Sequence, residues 1–327
     1  MPISRRRMLA LSASGLVAGP LAGPLLARAA APFPSPSAQV TMLVGFAPGG
    51  GGDSWMRWMA EFLRTRWNIT VVVENKPGAG GTIAASQLAR AKPDGYTVGL
   101  ATSSPFTVAP HMQKLSYDPV TDFTYLFQFL VSAQPLFVRA DAPWQTIHEL
   151  IAWGKSNPGR LFWSTAATNG ATHISTAAAF RAAGVEATYV PYKGGADAMS
   201  ALLGGQINAL VAAEFPPFAA DGRVRLLAES GPDKVPGYPD VPTYEELGFP
   251  VSVPIFYGIA APAGIPEEAV KAWDEAGRDM VKEPAFKAML ERLSGTGAYM
   301  GSDAFGRTIR DVNGKMAKLV PELKLAQ

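Results

Sequence analysis

Short apolar runs alternate along this chain with segments whose apolar positions recur every three or four residues, so strands and helices take turns. The first expected strand covers 40–46. A helix over 54–66 follows, with Trp55, Met59, Phe62 and Leu63 on one face and Arg57, Glu61 and Arg64 off it, the pattern of an amphipathic helix on a sheet. Next come a strand at 69–73, a helix at 82–90, the turn Lys92-Pro93-Asp94-Gly95 and a strand at 96–101. Parallel strands need such crossovers, so the unit reads β-α-β-α-β. Its loops fall at the strand C-termini, the edge where open α/β sheets hold ligands.

The rhythm repeats. Strands are expected at 136–139, 161–165, 187–191, 207–212 and 224–228, with helices at 146–156, 172–183 and 196–203 between them. A proline-rich stretch over 232–254 holds a short helix near 243–247. A buried strand at 255–260 and helices at 266–282, 284–293 and 302–319 close the chain. The pattern implies two α/β lobes.

Two of these strands break into glycine: Pro48-Gly49-Gly50-Gly51-Gly52-Asp53-Ser54 after the first, and Glu74-Asn75-Lys76-Pro77-Gly78-Ala79-Gly80-Gly81-Thr82 after the second. Without a Cβ, such loops bring main-chain N–H groups close to a ligand, and the following helix adds its positive dipole end. Both suit a small anion.

The N-terminus carries a different message. Arg5-Arg6-Arg7 precede an apolar stretch over 11–26 and the small residues Ala27, Ala29, Ala30 and Ala31, a twin-arginine export signal over 1–31 cut near Ala29–Ala31. Gly15, Gly19, Pro20, Gly23 and Pro24 interrupt that stretch, against a membrane anchor. The full chain has 29 Lys and Arg against 27 Asp and Glu. Four arginines lie in the signal, so the exported protein holds 25 basic against 27 acidic residues, a net of −2. That balance, with no basic run, excludes a nucleic-acid partner by type. The absence of cysteine rules out disulfides, thiolate metal sites, a cysteine nucleophile and a lipidated cysteine, leaving an expected location free in the periplasm.

Several blocks, in order, carry a resemblance. Phe46-Ala47-Pro48-Gly49-Gly50-Gly51-Gly52-Asp53, Val73-Glu74-Asn75-Lys76-Pro77-Gly78-Ala79-Gly80-Gly81-Thr82, Lys92-Pro93-Asp94-Gly95, Val190-Pro191-Tyr192-Lys193-Gly194, Pro239-Asp240-Val241-Pro242-Thr243 and Ala261-Pro262-Ala263-Gly264 resemble the Bug (TctC-like) receptors of tripartite tricarboxylate transporters. The resemblance implies an α/β, two-lobed periplasmic-binding-protein (Venus-flytrap) fold, each lobe a mostly parallel sheet flanked by helices. Lobe 1 would hold 36–134 plus 255–327 and lobe 2 135–254, hinged near 131–134 and 251–255. It further implies a monomer that binds a small organic acid, uses no cofactor or metal, and docks on integral-membrane transporter subunits.

By the same likeness the ligand lies between the loop after the first strand, offering Phe46, Gly50, Gly51, Gly52 and Asp53, and the loop after the strand at 161–165, offering Thr165, Ala167, Thr168, Asn169 and His173. Ser103, Glu214 and Phe256 complete the candidate contacts. Thr168 and Asn169 stand where the family has small residues, while the loop's final histidine is kept as His173. Each residue has a rival reading: Asp53 as a helix N-cap, His173 as a structural hydrogen-bonding residue, Phe46 and Phe256 as core aromatics. Glu214, if it lines the cleft, would repel an anion unless paired or hydrogen-bonded and would favour a ligand with an amine or hydroxyl. Tyr192 and Lys193 read as packing and solvated surface. A sensing receptor for a signalling ectodomain stays open beside transport. An exported enzyme is disfavoured: three histidines form no His-Glu-x-x-His pair, and there is no Gly-x-Ser-x-Gly elbow or phosphate-binding loop.

Overall fold

The computed structural model describes residues 33–250, 252–293 and 295–322. The expected signal at 1–31 and residue 251 of the expected hinge lie outside them.

The first unit is built as the periodicity implies: β1 (Gln39–Val44), α1 (Gly51–Trp67), β2 (Thr70–Asn75), a single 3-10 turn (Ala79–Gly81), α2 (Thr82–Ala89) and β3 (Thr97–Thr102), with β1 parallel to both β2 and β3. Alternation along β1 divides the core. Met42 joins Trp55, Met59 and Leu63 of α1 on one side, whereas Leu43 faces Leu88 and Phe106 on the other. Burying each of these side chains contributes roughly 1.5–3 kcal/mol.

A π-helical turn (Ser104–Val108) runs into α3 (Ala109–Met112) and then β4 (Phe123–Ser132), none of which the periodicity announced. β4 reads FTYLFQFLVS and is buried along most of its length because it lies inside the sheet, so it shows no alternation to detect. The second lobe follows with β5 (Pro135–Arg139), α4 (Ile147–Ser156), β6 (Leu161–Thr165), α5 (Ala171–Ala182), β7 (Ala187–Tyr189), α6 (Gly195–Leu203), β8 (Ala209–Val211), α7 (Pro216–Ala220) and β9 (Val224–Glu229). The chain returns to the first lobe through β10 (Phe256–Pro262), α8 (Glu267–Met280), α9 (Pro284–Arg292), β11 (Gly295–Gly301) and α10 (Ser302–Glu322). The helix expected near 243–247 is a run of turn with one bridge, Glu229 to Thr243.

The strands form two sheets, ordered β11-β4-β10-β3-β1-β2 and β7-β6-β8-β5-β9. Both are mixed, which corrects the expectation of mostly parallel sheets: β10 is antiparallel to β3 and β4, β11 to β4, and β5 to β8 and β9. The cause is the chain's excursion. β4 leaves the first sheet at the edge where β3 ends, and β10 re-enters at that edge, so it must run the opposite way.

Hydrogen bonds bind the two crossings together. Ser132 N–H donates to Ile255 O at 2.7 Å, and Ser103 Oγ donates to Pro254 O at 2.5 Å while accepting from Phe256 N–H at 3.1 Å. Beside them Glu229 Oε1 accepts from Gln134 N–H (3.0 Å) and Gly231 N–H (2.9 Å). Its other oxygen has no partner among the described residues, and burial pushes the carboxyl up to about 8.

Candidate ligand-binding site

The end of β1 and the second glycine loop meet backbone to backbone at the C-terminal edge of the first sheet. A Cβ on Gly45 would fall 2.8 Å from Gly81 Cα, so no larger residue lets the end of β1 and the second glycine loop touch. Gly78, Ala79, Gly80 and Gly81 take φ of 129°, 48°, 64° and 94°. Glycine adopts such angles freely, whereas Ala79 does so against a penalty of about 1–2 kcal/mol. Thr82 Oγ1 holds the turn by donating to Ala79 O at 3.0 Å.

This loop forms one wall of a cavity of about 880 Å³ between the lobes. Phe46, Ala47, Ser104 and α3 extend that wall; the other comprises residues 166–169, the start of α5, and Tyr192 with Lys193. The lobes touch across it, because Ser104 Oγ accepts from Ala171 N–H at 3.1 Å. Behind the contact, Ile174 and Ala178 of α5 pack with Val312 and Met316 of α10 in an apolar cluster spanning both lobes.

The second-lobe loop is organised by His173. Its Nδ1 accepts from Asn169 N–H at 2.9 Å, with Asn169 in the left-handed region at φ 57°. Nδ1 is therefore unprotonated and the neutral ring carries its proton on Nε2, which makes it a donor. Burial lowers the His173 pKa to about 4, so the ring is uncharged at neutral pH. It stacks on Tyr189 at 3.9 Å, and the Tyr189 hydroxyl meets Thr168 Oγ1 at 3.0 Å.

Of the expected contacts, Phe46, Ala167, Thr168, Asn169 and His173 line the cavity. The others have different surroundings. α1 begins inside the first glycine run, with Gly50 as N-cap, so Gly50 and Gly51 are helix start and not open loop. A Cβ on Gly52 would lie 2.9 Å from Leu100, making that glycine a packing requirement. Asp53 is the third helical residue and not the N-cap. Its Oδ2 accepts from Gly49 N–H (2.8 Å) and Arg57 Nε (2.9 Å), and Oδ1 from Asn75 Nδ2 (2.8 Å). Burial pushes this carboxyl up, but the bonds from Arg57, Gly49 and Asn75 outweigh it and hold the pKa below its ordinary value.

Ser103 pins the crossing, as described, and Thr165 is fully buried with Oγ1 donating to Ala167 O at 2.9 Å. Phe256 is core, edge-on to Phe305 at 5.4 Å. The Glu214 carboxyl packs where a Gly195 Cβ would sit, its pKa raised by burial, and it is not part of the cavity wall. Conversely, the cavity takes in the second glycine run, which the sequence marked as suited to an anion without naming its residues as contacts, and Tyr192 and Lys193, which it read as packing and surface. The paired glycine runs were the usable signal for the first. α3 left none, being a four-residue helix after a π-helical turn.

Two α/β lobes joined by chain crossings, with a cavity between them walled by main-chain loops, are the architecture of a solute-binding protein. The chain belongs to the family described as "Tripartite tricarboxylate transporter family receptor", whose profile matches residues 55–325. It is 29% identical over 293 residues to the UPF0065 protein in the gbd 5' region of Cupriavidus necator, covering 89% of each chain. Among solved structures it is similar to the periplasmic binding protein BugD (31% identity, TM-score 0.79, 88% of this chain and 98% of that one). It is also similar to Rpa4515 of R. palustris with adipate (27%, TM-score 0.79, 88% and 98%). Among the described residues no helix is long and apolar enough to cross a membrane.

Proposed function

We propose that this chain is a periplasmic receptor that captures a small organic acid between its lobes, without chemistry, and delivers it as a monomer to the membrane subunits of a tripartite transporter. The observation that carries the reading is the interlobe cavity of about 880 Å³, walled on both sides by turns at strand ends, in a member of a receptor family one of whose relatives is described with adipate. The lobes would comprise 36–134 plus 255–327 and 135–254.

The second glycine loop and residues 166–168 would supply main-chain donors, the Asn169 N–H being held by His173 Nδ1, and His173 would add a neutral Nε2–H. Charge-assisted hydrogen bonds contribute about 1.5–3 kcal/mol each, so a handful, less ordering and desolvation costs, reaches about −8 kcal/mol, or micromolar affinity. A ligand held by both walls favours the closed arrangement by its differential affinity, and closure is what a membrane partner can read.

A thermal-shift screen of organic acids tests this. Ligand at 100 times its Kd should stabilise by about 2.7 kcal/mol. If no acid shifts the midpoint, the reading is wrong. Pull-down of transporter subunits with and without the ligand tests delivery.

A further inference from the structure

Resting on the receptor reading, we infer that Tyr189 of β7, which is not itself part of the cavity wall, is the positioning residue for the second-lobe wall: its ring sets the direction of the His173 Nε2–H and its hydroxyl holds Thr168 in place. β6 and β7 pair in parallel with Trp163 opposite Tyr189, so both aromatic side chains stand on one face of the sheet, and His173 from the first turn of α5 packs on both. The His173 ring lies 3.9 Å from the Tyr189 ring at 23° and 5.4 Å from that of Trp163 at 52°. Asn169 N–H fixes the imidazole at Nδ1 alone. The terminal torsion of histidine is broad, and one hydrogen bond tolerates about 30° of tilt. The stacked phenol removes that freedom and confines Nε2–H to a plane nearly parallel to its own.

The hydroxyls are oriented as well. Thr165 Oγ1 spends its one proton on Ala167 O at 2.9 Å, so in its 3.3 Å contact with the Tyr189 hydroxyl it accepts. Tyr189 therefore donates to Thr165 and accepts from Thr168 Oγ1, 3.0 Å away. Each hydroxyl carries one proton, and no other arrangement makes all three bonds. Thr165 is fully buried and Thr168 is an exposed wall residue, so the phenol fastens the mobile end of the loop to its fixed end. One side chain behind the wall thus governs two side chains on it.

NMR of the exported chain with nitrogen-labelled histidine tests the ring's part without any ligand, the His173 signals being those lost in His173→Phe. At neutral pH the ring should be protonated at Nε2 alone in the parent and in Tyr189→Phe, which keeps the stack, and should become a mixture of the two neutral forms in Tyr189→Leu, which does not. Titration calorimetry with adipate and malate tests the hydroxyl's part. An acid that binds the parent should bind Tyr189→Phe about fivefold more weakly and Tyr189→Leu about tenfold. Thr168→Val should cost about fivefold in the parent and nothing further once Tyr189→Phe is present, a dependence that general loosening of the lobe would not produce. Melting midpoints show which variants fold, and Tyr189→Phe, which keeps the packing, decides if Tyr189→Leu does not. Parental affinity in Tyr189→Phe, or a parental His173 spectrum in a folded Tyr189→Leu, overturns the inference while leaving the receptor reading intact. If neither acid binds the parent, it is the receptor reading that has failed for both, and the histidine spectra still decide the role of Tyr189.

Discussion

Ser104 Oγ accepts a hydrogen bond from the Ala171 main-chain N–H at 3.1 Å, so the turn after β3 in one lobe caps the first turn of α5 in the other. A donor that any helix start must satisfy is met by the opposite lobe, and the lobes are drawn together where the cavity lies. Gly170 permits it, since a Cβ there would stand 3.0 Å from Ser104 Oγ.

Ser104→Ala should therefore loosen closure. Losing one neutral hydrogen bond, about 1 kcal/mol, corresponds to roughly fivefold weaker ligand binding. Small-angle scattering of the unliganded variant should give a larger radius of gyration than the parent. An unchanged radius together with unchanged affinity would show that the contact does not hold the lobes.

Gly45→Ala tests the backbone contact between the end of β1 and the second glycine loop. The added methyl meets Gly81 Cα and O at 2.8 and 3.1 Å, main-chain atoms that cannot swing aside. A loss of about 1–3 kcal/mol in urea unfolding is expected, with weakened ligand binding because the displaced loop is a cavity wall. Parental stability would mean that the two segments can separate at no cost.

Asp53→Ala should separate stability from binding. Asn75 Nδ2 and Gly49 N–H lose their acceptor, a loss of about 1–3 kcal/mol, while affinity measured by calorimetry stays within twofold because Asp53 is not part of the cavity wall. Its carboxyl pKa is lowered in the folded state, so its contribution is present above the ordinary value of 3.8 and fades as the pH falls below it.

Glu229 works in the opposite sense. Burial raises its folded pKa from 4.5 to about 8, so between those values the native protein holds a proton that the unfolded chain has released. Its stabilising share is complete below about pH 4.5 and is lost as the pH rises through 8. Glu229→Gln keeps an oxygen for Gln134 and Gly231 N–H and removes the titration. The variant should melt higher than the parent at pH 9 and show a flatter profile from pH 6 to 9; parallel profiles would place the titration elsewhere.

His173 adds a decline on the acid side. Its folded pKa of about 4 lies below the ordinary 6.5, so its contribution is present above pH 6.5 and disappears as the pH falls toward 4, by roughly 3 kcal/mol in all. In His173→Phe the ring can still stack on Tyr189 but no longer accepts from Asn169 N–H, so stability between pH 4 and 6.5 should become less steep. An unaltered slope in a differential scanning series would rule His173 out as its source.

The sequence by itself determined the elements whose signal is local. Trp55, Met59 and Leu63 make α1 visible because a helix with one wet face must repeat near every 3.6 residues, and Leu161–Thr165 stands out as a short apolar run before a polar loop. The Asn169–His173 loop was placed by the family likeness, and its defining hydrogen bond is local, spanning four residues. Only the tertiary structure decided what depends on distant partners. β4 is buried on both faces and so lost the alternation that marks a strand, and β10 runs antiparallel because of where the chain re-enters the sheet. Asp53 and Phe256 were drawn away from the cavity by Asn75 and Phe305, neighbours 22 and 49 positions along the chain. Met112 and Lys193 reach it because two lobes close on each other. Which faces meet is settled by the packing of whole sheets, and no window of neighbouring residues carries that information.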